Sequence, residues 1–499
     1  MMDKKQNINF WQATWIQFKR HPLGYWSLWV VAFFCLMAIF APFLASSKPL
    51  MVKYDGQFYF PLFRYLFFKG FYTKLLDQFY NLLIFTLPLF IICCLIFRHS
   101  PKPRKIALWS ILVMQFIVFS YLAFRPQRDP ASDPSLNLAK QLMVSTYRKD
   151  HQLSPKLSWE QELNYMNDYA KLNMIVNYQL KQKQQIRLKI YEKAYAADPT
   201  LKGQTDIYLP TLWEQDLHHD QEIIKNGDPA QVKYIKDRRL WLEEQSKNLS
   251  YEVLPLVRRF HWEDDAGGDQ TLNRYVSWWD LTRINRKDMV ASLIFGVRIS
   301  LSVGLLAIAL ALLIGIPIGA ISGYYGGRID IITYRLIEIW ESMPTFFMLL
   351  LIVAFLQSKS IFLVIAVIGL FGWTGFSRFV RGEVFRQKQL PYVEACHALG
   401  YNDTRIMFSH LLPNAIPPLL TLVPFAIMGA ITSEAGLSFL GLGEEGSSSW
   451  GVLMDEGRTA FPSESYLLWP PAILLTLLLV SIALVGDALR DCLDPKLHR

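Results

Sequence analysis

Residues 392–414 read YVEACHALGYNDTRIMFSHLLPN, and this polar stretch decides the fold of the 499-residue chain. It lies between apolar runs at 361–380 and 416–432, each close to the roughly 20 residues that a bilayer demands. Arg381, Arg386 and Lys388 lead into it. Basic residues beside a span mark the cytoplasmic side, so a short polar loop placed here is a surface that can be gripped from the cytoplasm. The whole chain agrees with that setting. It is 52% hydrophobic and 19% charged, which excludes a disordered chain and fits a polytopic membrane protein.

Apolar runs give eight candidate spans, at about 24–45, 79–97, 106–124, 298–321, 331–356, 361–380, 415–433 and 468–488. The first is long and aromatic, with Tyr25, Trp26, Trp29, Phe33 and Phe34, and no small-x-small cleavage site follows it, so it reads as a retained helix. Threading the spans with a cytoplasmic N-terminal segment (1–22) places Arg98, Lys102, Arg104 and Lys105 inside, together with the 392–414 loop and both termini. The net charge of +9 is therefore an orientation signal and not a nucleic-acid footprint. Only the Lys-bearing loop at 46–78 dissents, being placed outside. The expected organisation is a first transmembrane helix (23–45), an outer loop with an additional transmembrane hairpin (46–124), an insertion (125–288) and a transmembrane core (289–499).

The insertion holds 25 Lys and Arg against 24 Asp and Glu, so it is nearly neutral. Apolar residues recur at helical spacing from 158 to 197 (Leu163, Met166, Tyr169, Leu172, Ile175, Leu180), and 213–254 reads as helix broken at Gly227-Asp228-Pro229. An α-helical extracytoplasmic domain follows, one that docks an outer partner or caps a second membrane subunit. A loop of this length is a domain more often than a connector. The five cysteines show neither a disulfide framework nor a metal spacing, and His218-His219 has no matching partners. No GxxxxGK[ST] phosphate loop and no HExxH occur, so ATP hydrolysis is not expected of this chain, and Ser447-Ser448-Ser449 reads as a loop and not as a nucleophile.

Inside the core, Gly304, Gly315, Gly319 and Pro317 suit close helix packing and a bend. Arg335, Glu338 and Glu341 recur at three-residue steps on one helix, where they read either as a functional intramembrane cluster or as an interfacial ion pair. Glu434 lies near the outer end of its span; a gate acid and a helix-end acid solvated by headgroups are the two readings. Asp487, with Arg490 three residues on, reads as a paired cap.

Glu394-Ala395-Cys396, Gly400 and Leu412-Pro413 resemble the EAA-x3-G-x11-LP loop of ABC importer permeases, with Cys396 in place of the second Ala. GVRISLSVG (296–304), GYYGGRIDIITYRLIEIWESMPTFFMLLLI (323–352), LFGWTGFSRFVRGEVFR (370–386) and EAGLSFLGLG (434–443) look like the dipeptide/oligopeptide permease family. His410 stands where the peptide-importing branch often has His. HPLGYWSLWV (21–30) and SKPLMVKYDGQFYFPLFR (47–64) are similar to the Yej-type C-subunit branch of that family. The resemblance implies an all-α, type I importer permease core of the bacterial inner membrane, here with about eight transmembrane helices. It implies that Glu394, Ala395, Gly400, Leu412 and Pro413 dock on ATPase subunits, and it makes Glu434, Ser438 and Phe439 candidates for the translocation pathway or its gate. Implied partners are a second permease subunit, ATPase subunits that carry the ATP and Mg, a solute-binding protein, the lipid bilayer and a peptide substrate; no cofactor is expected in this chain. The family has one span before its five core spans, so the 79–124 hairpin is an addition. The alternative is a permease scaffold repurposed for a structural or signalling role carried by the insertion. A proton-driven transporter would need acid or His relays at mid-membrane, and the sequence shows none.

Overall fold

The computed structural model describes residues 10–46, 48–67, 74–98, 100–124, 157–183, 229–255, 289–356, 359–444, 447–459 and 468–493, with a few short pieces between 138 and 225. These residues fall into two compact units, one formed by Met1–Ala38 with Phe295–Arg499 and the other by Ile39–Ile294. By length and apolarity, seven of the described helices can cross a membrane, or eight if one bent pair counts as a single span.

The first unit begins with α1 (Phe10–Arg20) and α2 (Pro22–Leu44), separated only by His21, which lies in front of Pro22. Pro is tolerated in a first helical turn because its missing N–H would be unpaired there anyway. Phe18 of α1 is buried against Ala488 and Cys492 near the chain's end. A long helix, α9 (Met289–Tyr325), starts the core; its 37 residues rise about 55 Å. It packs against α12 (Ile361–Lys388) through a stripe of glycines. A Cβ on Gly315, Gly319 or Gly323 would come within 2.4–2.6 Å of the carbonyl oxygens of Trp373, Ser377 and Arg381 in turn. The two backbones therefore touch at every turn of this seam, which only a small-xxx-small spacing allows. Gly323 extends the stripe one turn beyond the glycines singled out from the sequence.

Between α9 and α12 lie α10 (Gly327–Glu341) and α11 (Thr345–Leu356), bent by 68° at Ser342-Met343-Pro344. The continuous span expected at 331–356 is thus broken. Pro344 removes a helical N–H and pushes Met343 out of the helical region, and α10 is too rich in charge to share the apolar environment of α11. After the polar loop come α14 (Leu412–Leu420), α15 (Val423–Leu437), α16 (Trp450–Thr459) and α17 (Trp469–Leu493). The span expected at 415–433 begins instead at Val423, because Pro413, Pro417 and Pro418 confine α14 to a short separate helix.

In the second unit, α3 (Pro61–Tyr65) is a short helix, and α4 (Leu75–Ile96) and α5 (Pro101–Phe124) form an apolar hairpin. Gln115 sits inside it, accepting a hydrogen bond from Thr86 Oγ1 at 2.8 Å. Helices α6 (Trp159–Tyr165), α7 (Asp168–Lys183) and α8 (Pro229–Lys247) carry a small core in which Leu172 and Ile175 are buried. The helix expected over 213–254 ends at Lys247, and 249–253 forms a strand instead. That strand, β3 (Leu249–Val253), pairs antiparallel with β1 (Met51–Tyr54), which also pairs with β2 (Gln57–Tyr59). The hairpin turn is Asp55-Gly56, both with positive φ, as a two-residue turn of this hand requires. The insertion and the 46–78 loop therefore share one sheet and one core. His218-His219 lie outside the described residues.

Candidate functional site

The polar loop is a helix held by its apolar side. In α13 (Pro391–Ala398), Val393 and Cys396 are buried in the core, one turn apart, while Glu394, Ala395, His397 and Ala398 face outward. Cys396 can replace the Ala of the EAA pattern because it points inward, where a small apolar group fits. The helix ends in a left-handed turn. Gly400, at φ 75°, donates to the His397 carbonyl (2.9 Å), and Tyr401 N–H donates to the Cys396 carbonyl (3.1 Å). That pair of bonds satisfies two carbonyls at the helix end and needs Gly at the turn. Leu399 beside it is 70% exposed and Phe408 is 53% exposed, so the loop presents apolar side chains around the acidic Glu394.

Beyond Gly400 the chain winds through a single turn at Asp403–Arg405 and a π-helical segment, Ile406–Leu411. Ile406, Met407 and Leu411 are buried and pin this segment to the core. On its outer side Arg405 lies over the Tyr401 ring (4.3 Å), which stacks on His410 (5.6 Å, 8°). Of the five residues assigned to docking, Glu394, Ala395, Gly400 and Pro413 are exposed, whereas Leu412 is buried among core residues. Leu412 therefore anchors the loop.

Polar side chains tie this loop to α9 and, close by, link α9 to α12 and α10. Tyr324, in the last turn of α9, donates its hydroxyl to Asp403 Oδ1 at 2.7 Å. Lys388 Nζ, at the end of α12, donates to the Tyr324 carbonyl at 2.7 Å and sits over its ring. Arg381 of α12 forks onto Asp330 of α10, with Nη2 at 2.7 Å from Oδ2, and Ser322 of α9 donates to the same carboxylate at 2.6 Å. The Arg335–Glu338–Glu341 group resolves into ion pairs: Arg335 meets Glu338 at 2.6 Å, and Glu341 meets Arg378 of α12.

Glu434 lies in the last turn of α15 and is 1% exposed. Its Oε1 accepts from Ser438 Oγ (2.7 Å) and Ser449 Oγ (2.6 Å). Burial overturns the reading of a headgroup-solvated acid. Ser447, Ser448 and Ser449 are buried with it and open helix α16: Ser447 Oγ accepts from Ser449 N–H, and Ser449 Oγ from Gly451 N–H. Ser438 begins a π-helical turn, and Phe439 is half-buried beneath the guanidinium of Arg458, itself paired with Asp455 at 2.6 Å. Asp487 is exposed; near it the contact is His21 with Asp491, at 3.3 Å.

Residues 315–499 match the family described as the inner membrane component of binding-protein-dependent transport systems, and residues 9–61 match the N-terminal TM domain of oligopeptide transport permease C. The oligopeptide transport system permease protein OppC of Haemophilus influenzae is 38% identical over 43% of this chain and 69% of its own length. The chain belongs to this permease family. The peptidoglycan transport system permease protein YejE of Agrobacterium fabrum is 39% identical over 44% of this chain and 57% of its own. The inner membrane ABC transporter permease protein YejE of Escherichia coli is 37% identical over 44% and 64%. The chain thus spans between 57% and 69% of the length of these three relatives. A solved structure of the inward-facing MetNI methionine ABC transporter covers 41% of this chain at a TM-score of 0.35 and 18% identity, too loose to carry an argument.

Sequence reasoning about this permease missed Tyr324, Asp330, Arg381, Lys388 and Asp403 as one group. Tyr324 and Asp403 are 79 positions apart, so no local spacing announces the pair. The available signal was weaker: a polar residue at each helix end beside the loop.

Proposed function

We propose that this permease is one of two membrane subunits of an ATP-driven importer for peptides or peptide-like solutes, lining half of the pathway. The observation that carries this reading is the 391–413 loop, whose buried Val393, Cys396 and Leu412 fix a surface bearing Glu394, Ala395, Gly400 and Pro413. A helix anchored on one side and bare on the other, with Leu399 and Phe408 exposed around an acid, suits a groove on an ATPase subunit. On this reading the ATPase partners bind the ATP and Mg, and the loop passes their movement to the membrane helices.

Positive-inside bias supports an orientation with the loop, Arg98–Lys105 and both termini in the cytoplasm. The sheet and helices of 46–67 and 157–255 then lie outside, where a solute-binding protein delivers substrate. The buried Glu434–Ser438–Ser449 cluster, with Phe439 beside it, falls at the outer end of the core, where the pathway needs a gate. The peptide substrate is supported by relatives named for oligopeptide and dipeptide transport. The test is co-purification of the chain with the ATPase subunits and second permease of its own operon, followed by ATP hydrolysis in nanodiscs with binding protein and peptides. A complex that forms and hydrolyses ATP faster with loaded binding protein supports the reading. A chain that recruits no ATPase refutes it.

A further inference from the structure

The loop and the core are joined by a side-chain bond that the spacing of the EAA pattern does not include. Tyr324 is 3% exposed, in the last turn of α9, and its hydroxyl donates to Asp403 at 2.7 Å. Asp403 belongs to the loop, three residues past the Gly400 turn and just before the buried Ile406. The backbone carbonyl of the same tyrosine accepts from Lys388 Nζ at 2.7 Å, and Lys388 is the last residue of α12. Tyr324 is thus a junction: its side chain holds the loop and its main chain holds the helix that leads into the loop.

We infer that Tyr324 and Asp403 are positioning residues for coupling, forming the bond through which displacement of the loop pulls on α9. The inference rests on the importer reading given above. Three features favour it over a merely structural bond. The donor is a buried phenol on a helix end, fixed in direction, and the acceptor is a carboxylate, so the bond is of the stronger, charge-assisted kind. The acceptor lies on the exposed side of the loop, where an ATPase surface would push. The α9–α12 seam, with Gly315, Gly319 and Gly323 against α12 carbonyls, leaves no slack for a pull on Tyr324 to dissipate. Buried loop residues such as Ile406 and Leu411 also connect loop and core, but apolar contacts slide more readily than a directed hydrogen bond breaks.

The experiment uses the full chain co-assembled with its second permease, ATPase subunits and binding protein in proteoliposomes. The probes are ATP and an alanine peptide series from the tripeptide to the hexapeptide. The readout is the ratio of ATP hydrolysed to peptide imported. Tyr324→Phe removes one oxygen and keeps the ring that Lys388 covers. Asp403→Ala removes the acceptor, while Asp403→Asn keeps a carbonyl oxygen there. Tyr324→Phe is expected to assemble normally and to keep basal ATP hydrolysis, yet to raise the ATP-to-peptide ratio about tenfold, the factor at the lower end of what losing a hydrogen bond to a charged group costs, and Asp403→Ala should raise the ratio by the same factor. Asp403→Asn, which keeps an acceptor but not the charge, should restore part of the coupling. The double variant Tyr324→Phe/Asp403→Ala should be no worse than either single change, because both delete the same bond. An unchanged ratio in Tyr324→Phe overturns the inference while leaving the importer reading intact. So does a doubling of the defect in the double variant. A wild-type complex that hydrolyses ATP but imports none of the peptides overturns the peptide-importer reading, and the inference with it, before any variant is measured.

Discussion

Replacing Arg298 by Met should weaken the attachment of α2 to the core, and replacing Pro42 by Ala should repair the damage. Pro42 lies inside α2 and has no N–H, so the carbonyl four residues earlier, that of Ala38, loses its helical partner. Arg298 Nε of α9 donates to that carbonyl at 2.7 Å. Arg298 is 1% exposed and Ala38 fully buried, so water cannot stand in once the donor is gone. A hydrogen bond from a charged donor contributes about 1.5–3 kcal/mol in soluble proteins. Interhelical bonds within membranes average about 0.6 kcal/mol and reach about 1.7. Removing a buried guanidinium also relieves its desolvation, which trims the loss. The expected cost of Arg298→Met is therefore about 1–2 kcal/mol. With Ala at position 42 the backbone N–H returns, and the same Arg298→Met change should cost only what the other contacts of the guanidinium contribute, such as its position over the Phe295 ring at 5.0 Å. Reversible unfolding in mixed micelles across the four variants gives the coupling energy directly, because the helix stabilisation that Pro42→Ala brings by itself cancels in the cycle. An equal cost of Arg298→Met in both backgrounds would show that the carbonyl freed by Pro42 is not what Arg298 serves.

Gly319→Leu should separate α9 from α12, since a Cβ there lies 2.4 Å from the Ser377 carbonyl; a loss of about 1–3 kcal/mol is expected by the same unfolding assay, with Gly375→Ala, which meets nothing within 4 Å, as the near-neutral control. Gly400→Asp should leave the protein inserted but abolish uptake, as it adds an unpaired charge to the docking surface and strains the φ of 75°; Gly400→Ala carries only the strain, about 1 kcal/mol, and should retain partial transport. Lys102→Cys in a background lacking the five native cysteines should be shielded from impermeant thiol reagents in intact spheroplasts, and free labelling would mean that the α4–α5 hairpin does not cross the membrane. Replacing 130–270 by a flexible linker should spare ATPase binding and weaken stimulation by the binding protein; undiminished stimulation would count against a docking role for the second unit.

The membrane helices were legible because each needs a long apolar run, and the loop because its residue types recur at fixed local spacing. Leu412 shows where such spacing stops: the pattern places it on the docking surface, yet it is buried, since a pattern records position along the chain and not the side a residue faces. Asp55-Gly56 between two short alternating runs was a readable hairpin signal, but the third strand of that sheet starts almost 200 residues later and could only be read as more helix. The break at Pro344 is announced by the proline itself, although the run at 331–356 is long enough to read as one span. Arg298 stood inside a recognisable stretch, but what it serves is a carbonyl 260 positions away, orphaned by a proline in another helix.

The positions of these features along α9 bear on how the helix can move. Pro317 lies inside it and deprives the Leu313 carbonyl of its helical N–H, which on its own would make a hinge. Yet Gly315 and Gly319 flank that proline, and both press on the α12 backbone, at Trp373 and Ser377. A hinge clamped on both sides against a neighbouring backbone is a fixed bend, because opening it would drive one glycine into a carbonyl as it lifted the other away. On the proposed orientation, a pull at Tyr324 therefore reaches the membrane interior as a movement of α9 and α12 together. Near the other end of α9, Arg298 grips α2 through the Ala38 carbonyl, so the N-terminal helix must follow or that bond must break. Following the pull is the less costly course, because the guanidinium has no water to turn to at a buried site. The part of α2 up to Ala38 would then travel with α9 and α12.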